Sequence, residues 1–303
     1  MVQPESRAHR SLERMRSDLA TGLAYPSATG GVAQFLSDFI GWYLLLDDVM
    51  ESLSQPDVTQ PSLSSVFDRY LHALAEPGAS SDHPPDDGLL HGALDLGTRL
   101  RALGSPAWRA RFCGSMRTYF HRGVLAEVEH RSARTVPGLR EYVELRAESS
   151  GSYPIFDLIE VASGQELPAT IAEHPAMREL RKVAAVVISW ANDVLSFHKE
   201  RRRPHALNLP GLLMHHNGMD DEHALQRSVL MHNEEMRWFI TIKQQLLGWS
   251  GADGVAVRSW LHGLDVVMRG LLEWQLLAAR YTHGRSLDLR VVGDRTAEQS
   301  ISL

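Results

Sequence analysis

Apolar residues recur at intervals of three and four through almost the whole chain, and alternating apolar and polar residues are absent. That spacing belongs to helices that bury one face, and it leaves almost no strand signal. It predicts a short helix at Arg10–Gly22, then helices at about 32–53, after Pro61-Ser62, and at about 88–103 and 106–133. Further helices are expected at Leu139–Ser149 and at about 155–163, 174–201, 206–216, 220–248 and 252–282. Val66, Tyr70 and Leu74 form one stripe, and Trp108, Phe112, Met116 and Phe120 repeat every fourth residue. Glu76–Asp87 reads as a polar, proline-rich loop, and Ser149–Pro154 as a break between helices. The expected architecture is all-α, around ten helices about one core. Residues 1–24 are expected to be an N-terminal segment, partly disordered, 25–282 the folded domain and 283–303 a flexible, polar tail.

The net charge of −6 over 303 residues, with no basic run, argues against nucleic-acid binding. The longest apolar runs fall well short of a membrane span, so no stable membrane insertion is expected. The N-terminus mixes charges of both signs without an apolar core, unlike a signal peptide. Cys113 is the single cysteine, which fits a reducing, cytoplasmic setting, and it reads as core.

Two polar rows interrupt this apolar pattern. In Phe39–Glu51 (FIGWYLLLDDVME) an apolar run ends in Asp47 and Asp48, with Glu51 one turn beyond Asp47. Three carboxylates near the C-terminal end of a helix repel one another and oppose the helix dipole. Either they are solvated at a helix end, or a cation such as Mg2+ compensates them. In the second row (WANDVLSFHKERRR), Asn192, Ser196 and Glu200 are spaced by four. Their oxygens therefore line one face and suit Mg2+. The bland reading is an amphipathic stripe, but the preceding Val183–Ile188 is apolar all round, and a buried helix does not present such groups without partners.

Together, DDVME and NDVLSFHKE resemble the two metal motifs of bacterial-type class I terpene synthases, the second matching N-D-x-x-S-x-x-x-K/R-E at every specified position. Arg146 stands where that family carries a diphosphate-sensing Arg, and Trp274, Arg280 and Tyr281 match its terminal Trp and Arg-Tyr pair. Glu51 replaces the more usual Asp, and the region before Asp47 is short. The resemblance spans roughly residues 25–282 and implies a class I terpenoid synthase fold with a central cavity. It further implies three Mg2+ ions, held by Asp47, Asp48, Glu51, Asn192, Ser196 and Glu200. Arg146, Lys199, Arg280 and Tyr281 would grip the diphosphate of an isoprenyl substrate, farnesyl (C15) or geranylgeranyl (C20). Tyr43, Leu44 and Trp274 would line the cavity, and one of Ser149, Ser150 and Gly151 would present a backbone carbonyl or small residue to the substrate. A homodimer is allowed. The rivals are a chain-elongating prenyltransferase, which would need a second Asp-rich motif, a catalytically dead isoprenoid-binding protein, and an all-α metal phosphohydrolase. His215-His216 with Asp220-Asp221 is read as a helix cap beside solvated histidines, not a metal site.

Overall fold

A computed structural model describes residues 13–53, 60–76, 87–200, 207–249 and 251–278, with no strand among them. The helices are α1 (Ser17–Ala24), α2 (Gly30–Leu53), α3 (Gln60–Ala75), α4 (Gly88–Leu103) and α5 (Pro106–Arg117). A π-helical segment (Thr118–Val124) joins α5 to α6 (Leu125–Ala133). Then follow α7 (Leu139–Ser149), α8 (Ser152–Ser163), α9 (Ala169–Ala172), α10 (Pro175–Glu200), α11 (Leu209–Asn217), α12 (Asp221–Leu247) and α13 (Gly251–Leu277). No helix among the described residues is long and apolar enough to cross a membrane.

Short polar side chains start several helices by accepting a backbone N–H that the helix cannot satisfy itself. Asp87 accepts from Leu90 N–H at 2.9 Å, Asn208 from Gly211 at 2.9 Å, and Asp220 from His223 at 2.9 Å. Ser105 caps α5 at Trp108 N–H, with Pro106 at the first helical position, where its missing N–H costs nothing.

The four-residue stripe that runs from α5 into the π-helical segment is the centre of the aromatic core. Trp108, Phe112, Met116 and Phe120 are all buried. Phe112 meets Phe39 of α2 edge-on at 5.3 Å, and Phe120 stacks on Phe67 of α3 at 4.6 Å. The single helix expected over 106–133 is instead divided by the π-helical turn, which widens the spiral between Thr118 and Val124. In α10, Val183 to Val187 are buried, as an all-round apolar stretch requires, with α7, α11, α12 and α13 packed against it.

The expected boundary before residue 25 falls inside the packed bundle. Ala20 and Ala24 of α1 are buried, and α1 lies on α13 so closely that a Cβ on Gly270 would come 2.4 Å from the Leu23 carbonyl oxygen. Tyr25 ties the same segment to α8 by donating to the Ile155 carbonyl at 2.7 Å. Residues 1–12 and 279–303, and with them the whole of the expected tail, lie outside the described residues.

Gly97 sets the approach of α4 to α3: a Cβ there would stand 2.3 Å from the Ala73 carbonyl oxygen and 2.9 Å from that of Leu74. Both neighbours are backbone and cannot rotate away. Gly97→Ala gains up to about 1 kcal/mol of helix propensity but forces the helices apart, at about 1–3 kcal/mol. The expected net result is a lower urea midpoint at constant slope; an unchanged midpoint would show that the pair has room.

Candidate functional site

The acidic end of α2 stands half-buried. Asp47 and Asp48 are partly exposed, whereas Leu46 and Met50 on the other faces of that turn are buried. One turn earlier, the buried Tyr43 reaches across to the break between α7 and α8. An added Cβ on Gly151 would fall 1.4 Å from the Tyr43 hydroxyl, so the phenol occupies the space that a side chain there would need. Gly151 itself has φ +65°, the left-handed conformation that glycine adopts at no steric cost. The Tyr43 hydroxyl is pushed well above its usual range, first by burial, then by Tyr119 and by the negative charge of Asp47, with Arg146 opposing. Tyr43 thus feels both the aspartate end of α2 and the arginine end of α7.

Arg146 is the hinge of the other half. Its Nε donates to Asp193 Oδ1 at 3.0 Å and its Nη2 to Asn192 Oδ1 at 3.2 Å. Glu127 stands 4.0 Å from Nη1. Burial works against its charge, but Asp193, Tyr142, Glu127 and Glu200 outweigh it and hold the guanidinium well above its ordinary pKa. Asp193 is 1% exposed and is held from two elements: by Arg146 and the Tyr142 hydroxyl of α7, and by the Leu209 N–H of α11 at 3.0 Å. Burial nevertheless raises its carboxyl above the usual range.

The predicted row on α10 exists as a row. Ser196, also buried, donates its hydroxyl to the Asn192 carbonyl at 2.7 Å, which leaves the oxygen lone pairs for another partner. Glu200 is half-buried and accepts from Asn208 Nδ2 at 3.0 Å. Its carboxyl is raised by burial and then by Asp193, against hydrogen bonds from Ser196 and Asn208. Asn192 Nδ2 reaches Gln275 Oε1 of α13 at 3.4 Å. These are hard oxygen donors with a carboxylate among them, the chemistry a divalent cation such as Mg2+ requires. Among the described residues no three His, Cys, Asp or Glu side chains gather at one metal point, so an ion on this row would need Asn192 and Ser196 beside Glu200.

The structure therefore brings Arg146, Asn192, Ser196 and Glu200 together, and sets Tyr43 beside both Arg146 and Gly151. The break is shorter than expected, confined to Ser150 and Gly151. Ser149 is buried with its hydroxyl unpaired, while Ser150 caps the turn through Ser152 at 2.9 Å. Leu44 is buried beside Tyr43, and Lys199 is half-buried at the end of α10. Trp274, expected on the opposite wall, donates its indole N–H to the Met15 carbonyl at 2.7 Å, so its polar edge fastens the N-terminal segment to α13. The side chain of Glu51, and Arg280 and Tyr281, lie outside the described residues. His215 and His216 sit at the end of α11, and Asp220 is the cap that the sequence suggests. Sequence reading counted Asp193 as the second residue of the N-D motif but gave it no role, and it passed over Tyr142 and Gln275; Tyr142 lying one turn before Arg146 was a further signal.

A family described as "Terpene synthase family 2, C-terminal metal binding" matches residues 38–237. Germacrene A synthase of Nostoc punctiforme is 27% identical over 88% of this chain and 81% of its own. 10-epi-Cubebol synthase of Sorangium cellulosum is 27% identical, covering 90% and 85%. Among solved structures, wild-type cucumene synthase superposes with a TM-score of 0.70 at 26% identity, covering 86% of each chain. Germacradien-4-ol synthase of Streptomyces citricolor superposes at 0.74 and 23% identity, over 88% and 85%.

Proposed function

The chain belongs to the terpene synthase family as a class I terpene cyclase, and we propose that it cyclises farnesyl diphosphate with Mg2+ to a sesquiterpene. The substrate follows from the character of the similar enzymes, several of which are named sesquiterpene synthases. Geranylgeranyl diphosphate is the alternative substrate.

The observation that carries this reading is Arg146. It is fastened to Asp193 and Asn192, adjoins Glu200, and acts electrostatically on Tyr43 beside Asp47. One guanidinium is thus bonded to the second row and bears on Tyr43, one turn before Asp47. Asp47, Asp48 and Glu51 on one side, and Asn192, Ser196 and Glu200 on the other, would hold Mg2+. When bound, Mg2+ supplies Lewis-acid neutralisation of the departing diphosphate. Arg146 has donors left after its bonds to Asp193 and Asn192, and its planar fork suits two diphosphate oxygens. Lys199, Arg280 and Tyr281 would add further donors. None of these side chains attacks the substrate; they stabilise charge as the C–O bond breaks. Tyr43 and Leu44, one turn below Asp47, present an aromatic face and an apolar wall to the resulting allylic cation. An aromatic face is worth about 0.5–2 kcal/mol to such a cation.

The decisive experiment is incubation with Mg2+ and the C10, C15 and C20 diphosphates, followed by gas chromatography–mass spectrometry of the extract. A cyclic C15 hydrocarbon or alcohol is expected, and a C20 product would replace farnesyl by geranylgeranyl diphosphate. Chelation by EDTA is expected to stop turnover and added Mg2+ to restore it. Turnover that persists through chelation would remove the metal from the scheme.

A further inference from the structure

Gln275 is 5% exposed and sits in a stripe of α13 that is otherwise carbon. Leu264, Met268, Leu271 and Ala278 share its face at the three- and four-residue steps of a helix. Burying an amide among such neighbours without a partner is costly. The partner is Asn192 of α10, whose Nδ2 lies 3.4 Å from Gln275 Oε1. Arg146 decides which way round both amides lie. A guanidinium only donates, so the edge of Asn192 that stands 3.2 Å from Arg146 Nη2 is the carbonyl oxygen. That turns Nδ2 toward α13, and Gln275 must meet it with its own oxygen. Arg146, Asn192 and Gln275 thus form one chain from α7 through α10 to α13, each amide fixed by the group before it. Were the Asn192 amide to turn over, Nδ2 would face the guanidinium donor to donor, and the row would lose an oxygen.

The turn of α13 that carries Gln275 is itself held. Its neighbour Trp274 donates to the Met15 carbonyl at 2.7 Å. Gly270, one turn before Trp274, lies so near α1 that a Cβ would stand 2.4 Å from the Leu23 carbonyl oxygen. The N-terminal segment therefore fixes the height at which Gln275 meets Asn192.

We propose that Gln275 is a positioning residue: it accepts from Asn192 Nδ2 and so keeps Asn192 Oδ1 turned toward Arg146, with a lone pair left for Mg2+ on the row shared with Ser196 and Glu200. The consequence for Mg2+ and diphosphate rests on the proposed cyclisation; the orientation of the amide does not.

The test compares the full-length chain with Gln275→Met, which keeps the length of the side chain and removes the acceptor. The side-chain amide protons of Asn192 are followed in heteronuclear NMR spectra and identified as the pair that Asn192→Asp removes. In Gln275→Met they are expected to exchange with solvent about five- to tenfold faster, the size of one hydrogen bond. Calorimetric titration with inorganic diphosphate in Mg2+ reads the consequence without turnover. Affinity should fall about tenfold, the lower end of the losses seen when a group that orients a metal ligand is removed. In the Asn192→Asp background the same substitution should cost less than about threefold, because a carboxylate presents an oxygen whichever way it turns. Unchanged exchange of the Asn192 amide in Gln275→Met would overturn the proposal. So would an equal loss of affinity in the Asn192→Asp background, or a Gln275→Met chain that fails to fold, either of which would make Gln275 a packing residue. A parent chain that binds no diphosphate with Mg2+ would instead overturn the proposed function, and the amide exchange would still decide the role of Gln275.

Discussion

Asp47→Ala is expected to lower kcat by about a hundred- to a thousandfold, the scale on which removing one preorganised electrostatic partner acts. It should do so without weakening the fold. Asp47 is half-buried near the C-terminal end of α2, beside Asp48, where the helix dipole disfavours an anion. Its charge also pushes against the buried Tyr43 hydroxyl. Removing one of two adjacent carboxylates relieves that crowding, worth about 0.3–1 kcal/mol. Tm should therefore stay level or rise by about 1–3 °C. Lost activity with stability kept or gained is the signature of a group retained for function at the expense of the fold. A thermal melt beside the kinetics separates the cases: full activity would strike Asp47 from the site, and a collapsed melt would make it structural.

The helices were legible because burial of one face leaves a period of three and four in the residues themselves. That period shows in Trp108, Phe112, Met116 and Phe120, and all four are buried. The row Asn192, Ser196 and Glu200 was legible for the same reason. Asp193 was counted in the N-D motif, but its hold on Arg146 was not legible, because it lies about 100° round the helix from Asn192, off the stripe that drew attention. That other face is where α10 meets α7 and α11, and nothing in a single sequence says which elements will pack there. The π-helical turn left no trace beyond Gly123, since a stripe at every fourth residue reads as unbroken helix. α1 was read as separate because its buried residues are mainly alanines, whose apolar signal is weak. The break looked longer than it is because Pro154 counts as a helix breaker. It stands in the first turn of α8, where its missing N–H has no intrahelical partner to lose.

Asp193→Ala should produce the opposite signature, a large loss of stability together with activity. The carboxylate is 1% exposed and receives the Arg146 guanidinium, the Tyr142 hydroxyl and the Leu209 N–H. Alanine leaves all three donors in place without their acceptor. Breaking a buried ion pair from one side costs about 3–5 kcal/mol, because the remaining charge stays buried. For a chain of this size that corresponds to a fall in Tm of about 6–20 °C. Asp193→Asn keeps an acceptor for Leu209 and Tyr142 but loses the charge and the acceptor facing Arg146, so its loss should be smaller than that of alanine. In both variants Arg146 loses its hydrogen-bonded carboxylate and keeps only its bond to Asn192, so affinity for inorganic diphosphate with Mg2+ should fall along with kcat. Because Asp193 joins α7, α10 and α11 through a single carboxylate, the loss of Tm and the loss of diphosphate affinity should rank the two variants in the same order. A melt within about 2 °C of the parent for Asp193→Ala would mean that these donors find other partners at little cost, and the claim that one carboxylate fixes Arg146 would fail.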